Sequence, residues 1–252
     1  ETQCAMEWFS VPEHCLWSLY EVYIPQRCAK GTCNPAKRKD IVKEVAVAYG
    51  PQARSMAEKF DMPKLHEWPT TRPRIVDIGA GLAMYHVNIH RFFENRSEHI
   101  IMDRTANLTH GFRSNGGFHR SSIDGGRFPF YSSLECARDI ALANGFPNPS
   151  NFQTIHADQG ALVRTLAAGS VDLVMSILSW GFHYPISTYA NDVKTVLKPI
   201  SGRLLVHPQK STQGARTPQD MRQYFTCSNS SAFCCVGCKD PGRPPNHPDN
   251  RA

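Results

Sequence analysis

The sequence is poor in what a membrane protein, a disordered chain or a strong polyanion binder needs. No segment approaches the roughly 18 consecutive apolar residues of a spanning helix. The longest apolar stretch, residues 171–182, is short and carries Asp172, so no membrane partner is expected. The first residues lack the apolar core of a signal peptide. Because the sequence opens on Glu1 rather than Met, that end does not decide secretion. Charged residues make up only 20% of the 252 and hydrophobic residues 41%, which excludes wholesale disorder and leaves enough for a packed core. The formal net charge is a mild +6. The excess lies toward the C-terminus, where residues 203–252 hold seven basic side chains against three acidic. A nucleic-acid footprint is usually stronger and clustered. One basic cluster does occur, Arg27, Lys30, Lys37, Arg38, Lys39 and Lys43 against Asp40. It reads as a solvated basic face ahead of a polyanion site.

Cysteine is not scarce, but its pattern is uneven. Of nine cysteines, only Cys136 lies in the middle of the chain. A secreted disulfide scaffold is normally shorter and evenly paired, so reduced thiols and a cytoplasmic location are expected. Cys235-Val-Gly-Cys238 has the spacing of half a zinc site. The only other candidate pair is Cys28 and Cys33, and no metal is expected.

The length suits one large domain, or one domain with an extension. Residues 1–70 read as a helical extension, with Trp8, Leu16, Leu19, Tyr20 and Tyr23 near helical spacing and an apolar stripe of Ile41, Val42, Val45 and Ala48. Residues 71–239 alternate strands with helices. The expected strands are Arg74–Gly79, His99–Asp103, Phe152–His156, Val171–Ile177 and Gly202–Val206. The expected helices are Leu82–Glu94, Ser132–Asn144 and Thr188–Leu197, with a further one over Thr217–Phe225. Two short strands are expected at Phe225–Ser230 and Phe233–Gly237. Such alternation predicts an α/β, doubly wound, mostly parallel sheet. Residues 104–130 hold no clear element and read as a functional loop or lid. Residues 240–252 read as a disordered tail.

The chemistry-bearing element is Val76-Asp77-Ile78-Gly79-Ala80-Gly81, a strand end that turns into a helix. Glycines there let the backbone approach a ligand at the place where a doubly wound sheet binds one. The run lacks the Gly-Lys-Ser/Thr of a phosphate loop, and position 84 is Met84 where a dinucleotide fingerprint has its third glycine. An acid just before the turn, Asp77, can meet a ligand ammonium. Asp103, 24 residues beyond Gly79, is placed to accept ribose hydroxyls. Asp158, followed by Gln159, can accept from an exocyclic amine such as adenine N6. Alternatively, Asp103 and Asp158 are local caps. An amino acid, a ribose and an adenine together describe S-adenosyl-L-methionine.

Asp77-Ile-Gly-Ala-Gly81, Asp103, Ala157-Asp158, Val171-Asp-Leu-Val-Met175 and Leu197-Lys-Pro-Ile-Ser-Gly-Arg-Leu-Leu-Val206, in that order, resemble the motifs of the class I S-adenosylmethionine-dependent methyltransferases. The resemblance covers residues 73–207, about half the chain. It departs in the last motif, which in the family usually reads Leu-Lys-Pro-Gly-Gly. It implies a Rossmann-like seven-stranded sheet ending in an antiparallel hairpin, with S-adenosyl-L-methionine as cofactor. The implied cofactor contacts are Asp77, Gly79, Ala80, Gly81, Asp103, Arg104, Asp158, Gln159 and Ser176, while Asp172 serves the fold. It also implies that the segment after the fourth strand, Ser176 to Pro185, lines the acceptor site. There His183 is the candidate base, Tyr184 a residue to orient an acceptor hydroxyl, and Trp180 a stacking surface. His183 can equally be a hydrogen-bonded loop residue. Ser179-Trp-Gly-Phe182 stands where amino-methylating nucleic-acid enzymes carry Asp/Asn-Pro-Pro-Tyr/Phe, and no Pro-Cys pair exists. An oxygen or nitrogen of a small molecule is therefore the expected acceptor. RNA methylation through the Arg27–Lys43 cluster and a non-catalytic protein with this fold are the alternatives.

Overall fold

A computed structural model describes residues 12, 14–15, 72–81, 83, 86, 89–90, 96–103, 134–146, 151–177, 179–180, 185–207, 217–227 and 233–239. Apart from residues 12, 14 and 15, the helical extension expected over residues 1–70, with its basic cluster, lies outside them, as do the 104–130 loop and the 240–252 tail.

Five strands form the parallel part of the sheet, close to where the sequence places them: β1 (Arg74–Ile78), β2 (Glu98–Asp103), β3 (Phe152–His156), β4 (Leu173–Ile177) and β5 (Arg203–His207). Two short strands, β6 (Thr226–Cys227) and β7 (Phe233–Cys235), add an antiparallel hairpin beside β5. The strand order is β3-β2-β1-β4-β5-β7-β6, the order of the class I methyltransferase fold. The chain winds from β1 outward through β2 to β3, then returns to place β4 on the other side of β1. The switch point of the sheet thus lies at the C-terminal ends of β1 and β4.

Both faces are covered. On one, Val76, Ile78, Ile100, Met102, Val174, Leu204 and Val206 pack against α2 (Ala161–Thr165) and α3 (Ala190–Val196). On the other, Ile101 and Phe152 meet Ala137 and Ala141 of α1 (Leu134–Ala143) and Phe146 beyond it. Gly145, with φ of 97°, ends α1 where the sequence predicts a stop. The helix expected from Thr188 is shorter than predicted and is preceded by a 3-10 turn over Ile186–Thr188. The C-terminal helix, α4, spans Thr217–Arg222. Asp172 is structural, as expected. Its carboxylate accepts from Lys198 Nζ at 2.7 Å and from the Arg74 backbone N–H at 2.9 Å, so it fastens the starts of β1 and β4 to the turn before β5.

The departure in the last motif leaves a mark on that turn. Ile200 has φ of 66°, a left-handed conformation that a β-branched residue adopts at a cost. The turn is held around it: Ile200 N–H donates to Val236 O at 2.8 Å, and the buried Arg203 guanidinium donates to Ile200 O at 2.7 Å. Gly202 is required by space, since a Cβ there would stand 2.5 Å from the Lys198 carbonyl oxygen.

The expectation of reduced thiols is corrected. Among the described residues, disulfides join Cys15 to Cys136, Cys227 to Cys234 and Cys235 to Cys238. The first ties the N-terminal segment to α1 across 121 residues, a separation at which spacing gives no sign of a partner. The second staples β6 to β7, and the third excludes Cys235 and Cys238 as free zinc ligands.

Candidate active site

The sheet brings the C-terminal ends of β1, β2 and β3 side by side, and with them most of the expected cofactor residues. After β1 the chain turns sharply. Gly79 and Gly81 both have positive φ, 79° and 57°. A Cβ on Gly79 would fall onto the Ser179 side chain, so the turn can lie against the segment after β4 only as glycine. Asp103 ends β2 beside this turn, and its Oδ2 accepts the Gly81 backbone N–H at 2.8 Å. This contact joins β2 to the turn after β1, while the segment that Asp103 would cap lies outside the described residues. Ala80 lies buried between the two glycines.

Asp158 and Gln159 follow β3. The Asp158 side chain is 60% exposed and stands 3.4 Å from His156 Nδ1. It caps nothing: α2 begins at Gly160 with no side-chain cap. The Gln159 carbonyl oxygen accepts from Arg164 Nη1 at 3.0 Å. Both side chains stand in the open at the same end of the sheet as Asp103.

Asp77 and Ser176 are placed differently from these. Asp77 is 1% exposed, and its Oδ2 accepts from His86 Nε2 at 2.9 Å. Its Oδ1 is buried with no hydrogen-bond partner. The carboxylate thus sits under the turn, within the α1 side of the sheet. The buried Ser176 hydroxyl donates to Ile78 O at 2.6 Å and accepts the Trp180 N–H at 2.9 Å. It links the last residue of β1 to the segment after β4 at the switch point.

Trp180 was expected as a stacking surface and is instead core. It is wholly buried, edge-on to Tyr189, and its indole N–H is shared between the carbonyls of Pro185 and Ile186, at 3.2 Å each. The indole's large apolar face and its single donor are both satisfied inside the protein. His183, Tyr184 and Arg104 lie outside the described residues, but Trp180 fixes the two ends of the segment that carries His183 and Tyr184.

Sequence reading missed one polar cluster entirely. His86, His90, Ser97 and His99 are all buried at 1% exposure or less and run on from Asp77. His86 Nδ1 lies 2.6 Å from His99 Nδ1, His99 Nε2 lies 2.6 Å from Ser97 Oγ, and Ser97 Oγ lies 2.9 Å from His90 Nδ1. Burial holds His99 well below the ordinary histidine range, with His86 and His90 adding to the effect. Burial likewise lowers His90 to about 4. The available signals were the His86–His90 spacing, one helical turn, and a histidine at an inward position of β2.

No protein-family model matches the chain, and no curated protein matches it in sequence. Among solved structures it is similar to a SAM dependent methyltransferase from Aquifex aeolicus, at 11% identity over 71% of this chain and 94% of that one, TM-score 0.43. It is similar to an arsenic (III) S-adenosylmethionine methyltransferase from Chlamydomonas reinhardtii, at 16% identity over 60% and 51%, TM-score 0.41. It is also similar to precorrin-6y C5,15-methyltransferase from Geobacter metallireducens GS-15, at 16% identity over 66% and 68%, TM-score 0.40. The chain thus spans about half the length of some of the structures it matches.

Proposed function

We propose that the protein is an S-adenosyl-L-methionine-dependent methyltransferase acting on an oxygen or nitrogen of a small molecule. The observation that carries this reading is the hydrogen bond from Gly81 N–H to Asp103 Oδ2 at the switch point. It sets a carboxylate against a tight glycine turn, at the end of the sheet where such folds bind ligands. The set of hydrogen-bonding groups suits the cofactor. Asp103 can take ribose hydroxyls, Asp158 an exocyclic amine, and the Gly79 turn lies so close to Ser179 that no side chain intrudes there. Arg104, Gln159 and Ala80 complete the proposed contacts, with Asp77 and Ser176 bracing the turn from beneath.

S-adenosyl-L-methionine supplies an activated methyl group. What the chain contributes is position, exclusion of water and, in this reading, a proton acceptor. His183 takes the proton from the acceptor hydroxyl or amine, and Tyr184 orients that group. Both sit between Trp180 and Pro185, whose backbones the Trp180 indole holds together.

The test is a methylation panel of metabolites and RNA read by mass spectrometry, with calorimetry for the cofactor. Methylated small molecules support the reading. Methylated RNA moves it to the basic Arg27–Lys43 cluster, with the salt dependence that phosphate contacts bring. Absence of cofactor binding makes this a binding protein that keeps the fold without the chemistry.

The compartment is likewise a proposal. The composition suggested the cytoplasm. The three disulfides support an oxidising compartment. Alkylation mass spectrometry after acid quenching of the native cell decides between them by counting free thiols.

A further inference from the structure

The cluster beneath the glycine turn is a continuous hydrogen-bonded chain: Asp77, His86, His99, Ser97, His90. Its members come from β1, from the helical residues after the turn, and from β2 with its lead-in. Phe152 of β3 lies edge-on to His86, and Phe146 after α1 stacks on His90 at 4.0 Å between ring centroids. The ionisable groups of the cluster are Asp77 and the three histidines, and those acting on His99 are His86 and His90.

Proton positions follow by elimination. A carboxylate only accepts, so His86 carries its proton on Nε2. A neutral His86 then accepts at Nδ1, and His99 Nδ1–H must donate to it. That leaves His99 Nε2 as an acceptor, filled by the Ser97 hydroxyl. The Ser97 oxygen in turn accepts from His90 Nδ1–H. Every donor points toward Asp77. The chain ends on His90 Nε2, which is buried and has no partner, and in this arrangement that atom is a bare lone pair. The opposite arrangement would place an N–H there, and orphaned buried N–H groups are the rarer and costlier case.

We infer that Asp77, His86, His99, Ser97 and His90 form one oriented proton relay, in which His86 is the positioning residue for Asp77 and a proton taken up at His90 Nε2 is delivered to His86. The transfer balances with a hydronium ion of the acidified solvent as the proton donor, which leaves as water. His90 gains a proton at Nε2 and passes its Nδ1 proton to Ser97 Oγ. Ser97 passes its hydroxyl proton to His99 Nε2, and His99 passes its Nδ1 proton to His86 Nδ1. The net change is one added proton, resident on a His86 imidazolium beside the Asp77 carboxylate. A positive charge then stands next to β1, two residues before Gly79. Its effect on a cationic cofactor rests on the methyltransferase reading; the relay itself does not.

Nitrogen-15 NMR of the full chain, labelled at histidine and glycine, tests this. At neutral pH the expected tautomers are Nε2–H for His86 and Nδ1–H for both His99 and His90. On acidification the three rings and the Gly79 and Gly81 amides are expected to respond together, with one shared midpoint. In Ser97→Ala the link is cut, and the acid response of His90 is expected to stay on His90. The opposite tautomer on any of the three rings overturns the relay, as does a shared midpoint that survives Ser97→Ala. Should the variant fail to fold, the wild-type tautomers decide alone. Adding S-adenosyl-L-methionine separates the two readings: a protein that does not bind it but shows the expected tautomers retains the relay and loses the methyltransferase assignment.

Discussion

Asp103 and Gly81 are joined by a 2.8 Å hydrogen bond that runs from the backbone of the turn after β1 to the carboxylate that ends β2. One residue thereby shapes the turn and faces the proposed ribose position. Asp103→Ala is expected to weaken cofactor binding by about 1.5–3 kcal/mol, the worth of a hydrogen bond to a charged group. Isothermal calorimetry on wild type and variant measures it. Equal affinity in both removes Asp103 from the site.

His183→Ala is expected to lower turnover by about 10²–10⁴-fold, the contribution of a positioned base, with little change in cofactor affinity. Joint loss of stability and cofactor binding would make it a loop anchor instead. A variant that folds, binds cofactor and turns over at the wild-type rate ends both assignments.

Stability is expected to fall with acid. His90 is lowered to about 4 and His99 is also lowered by burial. The unfolded chain therefore binds more protons than the folded one once the pH drops below about 6.5. For each such histidine the loss is about 1.4 kcal/mol per pH unit, continuing until its folded-state value is reached. For His90 this amounts to on the order of 3 kcal/mol by pH 4. Thermal melts between pH 7 and pH 5 follow it, and a flat profile contradicts it.

Ile200→Gly is expected to stabilise the protein. The left-handed conformation at Ile200 costs a β-branched residue about 1–2 kcal/mol. The added chain entropy of glycine returns about 0.5–1 kcal/mol of that. The net gain corresponds to a rise in Tm of about 2 °C at this size. A lower Tm would show that the packing of the isoleucine outweighs its strain.

Removing the Cys15–Cys136 bond is expected to cost about 2–4 kcal/mol, because it closes the longest of the disulfide loops described here. The Cys15→Ser/Cys136→Ser double variant, melted beside wild type, reads this out. An unchanged Tm under oxidising conditions would mean that the two thiols are not joined in solution.

The sheet was legible because buried parallel strands are apolar runs that end in turn residues. Arg74–Ile78 and Leu173–Ile177 announce themselves in that way. The hairpin was legible in place but not in extent, since two- and three-residue strands carry too little periodicity. α2 was missed: Ala161–Thr165 is five residues long and starts at a glycine with no side-chain cap. The turn after β1 and the acid that closes β2 were legible through glycines and acids at strand ends. Trp180 was misread because an exposed-looking loop aromatic and a buried one are alike in sequence. The histidine cluster was not assembled from its two sequence signals because the contact of His86 with His99 depends on how the helical residues after the turn settle over β2.

The Trp180 indole, donating to both Pro185 and Ile186, makes residues 181–184 a bounded insert. The strand before them and the helical turn after them are held to each other directly through that side chain. A change of sequence between those two anchors is thereby separated from the core that Trp180 and Ile186 belong to.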